Sequence, residues 1–132
     1  ALVAAGAFHT AAVTSTGRLV AFGQNAWGQC SIPVLREGEQ VLSVAAGGYH
    51  TAAITSSGRL LAFGRNDHGQ CRVPELREGE QVLAVTAGGC HTAMVTSFGR
   101  LLAFGQNEWD QCSVPTLREG EQVLVVAAGW SH

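Results

Sequence analysis

Short apolar runs alternate with polar, glycine-containing segments along the whole chain. In the middle of the chain, Thr51–Thr55 leads into a turn at Gly58 and then into Arg59–Phe63, a pattern that predicts a β-hairpin. The run Gln81–Ala87 ends at two glycines and predicts a longer strand. No segment shows the length and the period of a helix. The pattern therefore predicts an all-β fold built from small antiparallel sheets.

The pattern is repeated along the chain. A histidine opens each copy and recurs every 41 residues, at His9, His50, His91 and His132. A fixed period of this length is typical of solenoids and propellers, in which each repeat buries its apolar face against the next. We therefore predict a single repeat domain over residues 1–132. Its copies cover about residues 9–49, 50–90 and 91–131, and residues 1–8 are the end of a preceding copy.

Each copy is expected to contain three to four short strands. Gln70–Val73 predicts a short outer strand that stops at Pro74, which has no donor for a ladder. Strands rich in small residues, such as Val44–Ala46, are expected near the axis that relates the blades. The Leu-Arg-Glu-Gly-Glu segment recurs in every copy, and we expect it in loops on the outside.

The composition indicates a globular protein, with 46% hydrophobic and 14% charged residues. The net charge is −2, so no direct contact with nucleic acid is expected. All the basic residues are arginines, which excludes a lysine Schiff base. No apolar run approaches the roughly 20 residues of a membrane-spanning helix, so no span is predicted.

Two motifs separated by a turn stand in the second copy. The first is Val-Ala-Ala-Gly-Gly-Tyr-His-Thr at Val44–Thr51, and the second is Phe-Gly-Arg-Asn-Asp-His-Gly-Gln at Phe63–Gln70, with Gly58 between them. The arrangement resembles the regulator-of-chromosome-condensation repeat, and the resemblance covers the whole chain in three copies. It implies three blades of a seven-bladed β-propeller with four-stranded blades. It also implies a cytoplasmic or nuclear location; an organelle is not excluded, since a targeting segment could have been removed.

Three blades are fewer than the four or so that a closed propeller needs. The 41-residue repeat is also shorter than the usual repeat of the family. We therefore expect further blades, self-association or a protein partner to cover the open arc.

The sequence contains no catalytic constellation and no pattern that binds a cofactor. Equivalent histidines in successive blades are expected about 10 Å apart, whereas the ligands of one zinc ion need bonds of ~2 Å. No metal site is therefore predicted, and each histidine is expected to tie a loop to the neighbouring blade. The residues interpreted as structural are His9, His50, His91, Gly17, Gly58 and Gly99.

Three of the four cysteines recur at equivalent positions, Cys30, Cys71 and Cys112. The symmetry of the repeats keeps them farther apart than the ~7 Å between Cα atoms that a disulfide allows. We interpret them as small buried hydrophobes and expect all four thiols to be reduced.

Positions that differ between otherwise near-identical copies are candidates for recognition. Aromatic and imidazole rings occupy several of them, and aromatic rings dominate the energetics of protein interfaces. For Trp27 and Trp109, a ring that packs on the edge of a blade is the alternative. The candidate partner-binding residues are Trp27, Tyr49, His68, Trp109 and Trp130.

The sequence favours a non-catalytic propeller that binds another protein, as a scaffold or a peripheral subunit of a larger assembly. One alternative is a guanine-nucleotide exchange factor for a small GTPase, the activity associated with the founding member of the family. An enzyme inhibitor and a regulatory domain of a ubiquitin ligase are further alternatives. The fold does not choose among these functions.

Overall fold

The computed structural model describes residues 2–132 and contains strands but no helix in that range. Nine strands form three separate antiparallel sheets of three strands each, which confirms the predicted all-β fold. The strands are β1 Val3–Ala5, β2 His9–Val13, β3 Leu19–Gly23, β4 Val41–Ala46, β5 His50–Thr55, β6 Leu60–Gly64, β7 Val82–Ala87, β8 His91–Thr96 and β9 Leu101–Gly105.

Each sheet is one blade, formed by three consecutive strands that run up, down and up. In the second blade, Ala46 of β4 lies opposite Thr51 of β5, and His50 lies opposite Gly64 of β6. The hairpin predicted around Gly58 is therefore the pair β5–β6. The innermost strand of each sheet precedes the histidine, so each sheet spans the point where one period ends and the next begins.

The outer strand predicted at Gln70–Val73 is absent, and that prediction was wrong. The backbone N–H of Cys71 donates to Asn66 Oδ1 at 2.9 Å, and the backbone N–H of Arg72 donates to the carbonyl of Gly69 at 3.0 Å. Since these donors are used inside a turn, they are not available for a ladder along β6. The blades of the described chain therefore have three strands.

Successive blades pack face to face through apolar side chains. Between the first two blades, Ala11 and Leu19 of the first contact Val44 and Phe63 of the second. The middle strands β5 and β8 are buried along their whole length. Their alanines allow the sheets to approach closely, and burial of this apolar surface is the main force that stabilises the stack of blades.

The first and last segments of the described chain are less buried or less regular than the equivalent parts of the middle blade. Phe22 is 62% exposed, whereas its equivalent Phe63 is 8% exposed because it packs on the preceding blade. Residues 123–128 have the sequence of an innermost strand, but they form no strand in the structure. By the period, their pairing segment would begin at His132.

The connections divide between two ends of the blades. His9 lies opposite Gly23, so the β1–β2 connection and the turn after β3 are at the same end. We call this end the histidine face; it comprises the β1–β2, β4–β5 and β7–β8 connections and the turns that follow β3, β6 and β9. The hairpin turns at Gly17, Gly58 and Gly99 lie at the opposite end.

Candidate functional site

Two aromatic rings from successive blades stack on the histidine face. Phe8 precedes β2, and Tyr49 occupies the equivalent position before β5. The centroids of their rings are 5.3 Å apart, and the ring planes are inclined by 30°. This tilted geometry is one that aromatic pairs favour. The stack joins the first blade to the second at the surface.

Arg65, directly after β6, extends this stack. Its Cζ atom lies 4.9 Å from the ring centroid of Trp27 and 5.8 Å from that of Tyr49, which is within the range of a cation–π interaction. Trp27 belongs to the turn of the first blade, and Tyr49 belongs to the second blade. We call Phe8, Trp27, Tyr49 and Arg65 the aromatic cluster.

Asp67 orients the guanidinium of Arg65. Nε of Arg65 donates to Oδ1 of Asp67 at 2.8 Å, and Nη2 donates to Oδ2 at 2.7 Å. The hydrogen bonds from Arg65 hold the pKa of Asp67 below its usual value. His68 stands beside the pair, with Nε2 3.9 Å from Oδ1 of Asp67. The second turn therefore presents a fixed, planar cation next to two aromatic rings.

The repeated residues of each turn build its frame, and the variable ones point outward. In the second turn, Gln70 Oε1 accepts a hydrogen bond from the backbone N–H of His68 at 3.0 Å. Gln29 and Gln111 accept the same bond from Trp27 and Trp109. The amide side chains are thus structural, while the ring of Trp109 is 74% exposed.

The three repeated thiols belong to these turns and not to an apolar core. Each is half-buried, and its Sγ donates to the carbonyl of the residue six positions earlier, at 3.2–3.4 Å. The expectation that they are simply small buried hydrophobes was therefore incomplete. Burial raises the pKa of Cys71 to about 11. All four cysteines are free, and for the three repeated ones the symmetry of the repeats predicts this.

Trp130 lies near the axis of the blades. Its carbonyl accepts a hydrogen bond from the backbone N–H of Gly89 at 2.8 Å, and its ring lies so close to Gly48 and Gly89 that a Cβ on Gly89 would meet it at 2.8 Å. Trp130 also lines an open cavity of about 330 Å³, whose other walls are mainly alanines and glycines of the innermost segments.

The repeated histidines connect neighbouring blades. Nε2 of His9 lies 2.8 Å from Thr51 Oγ1 in the second blade. The Thr51 hydroxyl donates to the carbonyl of Gln29 at 2.7 Å, so its oxygen must accept from Nε2–H of the histidine. His50 and Thr92 repeat the arrangement between the second and third blades.

In His9 and His50, Nε2 carries the proton, so Nδ1 of the neutral ring is unprotonated. Nδ1 of His9, His50 and His91 is buried and has no hydrogen-bond partner. Burial, with a contribution from the neighbouring His9 and His91, lowers the pKa of His50 to about 4. The neutral ring is therefore the form that fits between the blades.

The hairpin turns at the opposite end also connect blades. Gly17, Gly58 and Gly99 have φ of +78°, +82° and +75°. The carbonyl of Gly58 accepts a hydrogen bond from the N–H of Val82 in the next blade at 2.9 Å. A Cβ on Gly58 would lie 2.6 Å from Cγ of Gln81, so a side chain at this position would meet both strain and a clash.

The outer loops contain buried ion pairs that the sequence did not suggest. The side chain of Glu39, at the end of a Leu-Arg-Glu-Gly-Glu segment, is 1% exposed and pairs with Arg59 at 2.7 Å. Glu80 and Arg100 form the equivalent pair in the third blade. The hydrogen bonds from Arg100 lower the pKa of Glu80 to about 2. This part of the loop is structural.

Residues 2–132 contain no group of three or more His, Cys, Asp or Glu side chains that could hold a metal ion. Nor does this part of the chain have a helix that is long and apolar enough to cross a membrane.

The structure brings two of the five predicted partner-binding residues together, since Arg65 contacts both Trp27 and Tyr49. His68 lies on the turn beside them, Trp109 is on the third turn, and Trp130 lies at the axis. Sequence analysis missed Arg65. The signal was available, because the equivalent residues in the other copies are Gln24 and Gln106.

Two segments of the chain match a known repeat family. A family model described as regulator of chromosome condensation (RCC1) repeat matches residues 1–29 and 41–70. A search of curated proteins finds none that matches the sequence.

Solved structures with the same fold cover most of this chain. Prp20p from Saccharomyces cerevisiae has 21% identity and a TM-score of 0.75 over 92% of this chain and 36% of its own. Yeast RCC1 (Prp20) bound to Kap60 has 20% identity and a TM-score of 0.79 over 98% of this chain and 40% of its own. The ectodomain of the receptor kinase CR4 from Physcomitrella patens has 23% identity and a TM-score of 0.69, over 97% and 33%.

The chain thus spans a third to two fifths of the length of these structures, and at such identities the likeness concerns the fold. The matched segments carry the two motifs noted in the sequence. The blades of the structure are copies of one unit, related by the 41-residue period. Residues 1–29 and 41–70 thus match the model of the regulator of chromosome condensation (RCC1) repeat, and the described chain has the fold of three blades of an RCC1-like β-propeller.

Proposed function

We propose that this chain is a non-catalytic propeller segment that binds a partner protein through its histidine face, as a scaffold or a peripheral subunit of a larger assembly. The observation that carries the proposal is the position of Arg65 between the rings of Trp27 and Tyr49. Tryptophan, tyrosine and arginine are the residues most enriched at the energetic centres of protein interfaces.

Within each repeat, the repeated residues and the variable residues have different roles, and this difference supports the proposal. Residues that recur in every copy make the contacts that hold the blades and their turns, as His50, Glu80 and Gln70 do. Residues that differ between copies are largely on the histidine face, where Phe8 is 54% exposed and Trp27 47% exposed. Exposed aromatic rings at variable positions are not part of the frame that recurs in every blade, and they suit recognition.

The proteins of similar structure add support at the level of the fold. One structure describes the binding properties of Prp20p to Gsp1p and histones, and another shows yeast RCC1 bound to Kap60. Binding of proteins is thus an activity of propellers with this fold. Because this chain spans less than half of those proteins, their partners are not carried over to it.

Affinity purification with paired variants tests the proposal. The double variant Trp27→Ala/Tyr49→Ala removes two rings of the aromatic cluster, and Arg36→Ala/Arg77→Ala removes two exposed charges from the outer loops. We expect mass spectrometry to show proteins that bind the wild type and the outer-loop variant but not the double aromatic variant. Loss of the same proteins with the outer-loop variant alone would contradict the proposal. A small GTPase among them would favour the exchange-factor alternative.

A further inference from the structure

Arg65 stands where the first blade has a glutamine that makes an internal hydrogen bond. In the first blade, Nε2 of Gln29 donates to Oε1 of Gln24 at 3.3 Å. In the second blade, Gln70 is fully buried and its Nε2 has no partner. An arginine has no acceptor, so Arg65 cannot replace Gln24 in this bond. The third blade keeps Gln106, although Nε2 of Gln111 lacks a partner there too.

Arg65 therefore cannot make the internal hydrogen bond that the first blade makes at this position. Its side-chain contacts are instead with residues at the surface of the histidine face. The bond to Asp67 uses Nε–H and one N–H of Nη2. A guanidinium has five N–H donors, so three remain, and none has an acceptor among residues 2–132. The side chain is 26% exposed, so part of the guanidinium-bearing side chain is open to solvent.

The charges around the three turns differ. The second turn has Arg65 at its start and the exposed Arg72 at its end, against the single acid Asp67. The first turn has no charged residue, and the third has Glu108 and Asp110 without an arginine. The second turn is thus the one that carries arginines, and Arg65 lies against the exposed ring of Trp27.

We propose that the aromatic cluster is the docking site for an acidic segment of a partner protein, in which a carboxylate stands next to an aromatic or aliphatic side chain. The carboxylate accepts hydrogen bonds from the free N–H groups of Arg65, and the neighbouring apolar side chain packs on Phe8 and Trp27. A guanidinium held flat against aromatic rings is already oriented for such a planar contact. This inference rests on the proposed function of the histidine face.

A selection from a library of short random peptides displayed on phage tests the proposal, with the whole chain as bait. Selected peptides are then synthesised and titrated against the wild type, Arg65→Gln and the control Arg77→Gln. Arg65→Gln restores the residue of the first and third blades, and thermal unfolding checks that it folds. Arg77→Gln removes the same charge from an exposed outer-loop position.

We expect the selected peptides to be enriched in Asp or Glu next to an aromatic or aliphatic residue. Arg65→Gln should weaken their binding by about tenfold or more, and Arg77→Gln by less than about twofold. Arg65→Lys should also weaken binding, because an ammonium lacks the planar donors. Binding should weaken as salt is added.

Two results would overturn the inference. Peptides without acidic residues, or peptides that bind Arg65→Gln as well as they bind the wild type but lose affinity for Trp109→Ala, would place the docking site elsewhere on the histidine face. That outcome leaves the proposed function standing. If no selected peptide depended on any residue of the histidine face, both the inference and the proposed function would be wrong.

Discussion

Nε2 of His50 in the second blade lies 2.9 Å from Oγ1 of Thr92 in the third. The same hydroxyl donates to the carbonyl of Gln70 at 2.8 Å, so one threonine satisfies two buried groups from the preceding blade. The contact is repeated between the first and second blades, through His9 and Thr51. The histidines thus bond successive blades to one another inside an otherwise apolar interface.

Thr92→Val should destabilise the protein by about 1–3 kcal/mol, because the isosteric valine leaves Nε2–H of His50 and the carbonyl of Gln70 without partners. Thr10→Val is the matched control, since Thr10 occupies the same position in the first blade and its side chain has no hydrogen bond within residues 2–132. Urea unfolding followed by circular dichroism measures both. Equal effects of the two substitutions would mean that the histidine bond contributes nothing.

Stability should fall in mild acid. The pKa of His50 is about 4 in the folded protein and its ordinary value is 6.5, so the unfolded chain binds more protons between these two values. The free energy of unfolding is therefore highest above pH 6.5 and decreases as the pH falls towards 4, by up to about 1.4 kcal/mol per pH unit for each such histidine. His9 and His91, whose pKa burial also lowers, add to the effect.

His50→Gln keeps an N–H donor for Thr92 but does not titrate, so it should flatten the dependence on pH. Unfolding is best compared between pH 7 and about 5, since the carboxylate of Glu80 loses its contribution only as the pH falls from about 4.5 towards 2. An unchanged slope in His50→Gln would show that another group controls the response to acid.

Gly58→Ala should cost more than the same substitution at Gly79. Both glycines have positive φ, +82° and +76°, and a side chain at either should cost about 1 kcal/mol. A Cβ on Gly58 would also meet Cγ of Gln81 at 2.6 Å, whereas a Cβ on Gly79 would have nothing within 4 Å. The difference between the two melting temperatures isolates the contact between blades. If Gly58→Ala and Gly79→Ala had similar melting temperatures, Gly58 would have no role in the contact between blades.

Cys71 should be the slowest of the four cysteines to react with iodoacetamide. A pKa of about 11 instead of 9.0 leaves about 100-fold less thiolate at pH 8. The thiol also donates to the carbonyl of Arg65 at 3.2 Å. Peptide mapping of labelled protein gives the rates, and labelling in urea provides the control in which the four thiols become equivalent. Labelling of Cys71 as fast as that of Cys30 in the folded protein would contradict the burial of this turn.

The sequence predicted the architecture because the period and the glycine turns are local signals. The hairpin β5–β6 follows from the residues around Gly58. The outer strand at Gln70–Val73 failed for a reason that alternation of residue types does not show, since Asn66 and Gly69 accept the backbone hydrogen bonds that a strand would need. Likewise, the second glutamates of the first two outer loops, Glu39 and Glu80, looked exposed, but each is buried in an ion pair with an arginine from a distant hairpin.

The candidate site could be predicted only in part. Comparison of the copies selected Trp27 and Tyr49, which lie in different blades and far apart in sequence. The two rings contact the same guanidinium because of the way in which the blades stack. No local pattern in the sequence predicts this stacking geometry. Arg65 lies inside the motif Phe63–Gln70, where it differs from the glutamines at both equivalent positions, but a single charged residue in a turn does not by itself indicate a site.

The most direct test of the central claim is hydrogen–deuterium exchange of the chain with and without a protein that it retains in affinity purification. If the histidine face is the binding surface, the backbone amides of residues 24–29, 48–49 and 65–70 should become protected in the complex. The outer loops at residues 35–39 and 76–80 should exchange as they do in the free protein. Protection of those loops with an unchanged histidine face would contradict the account.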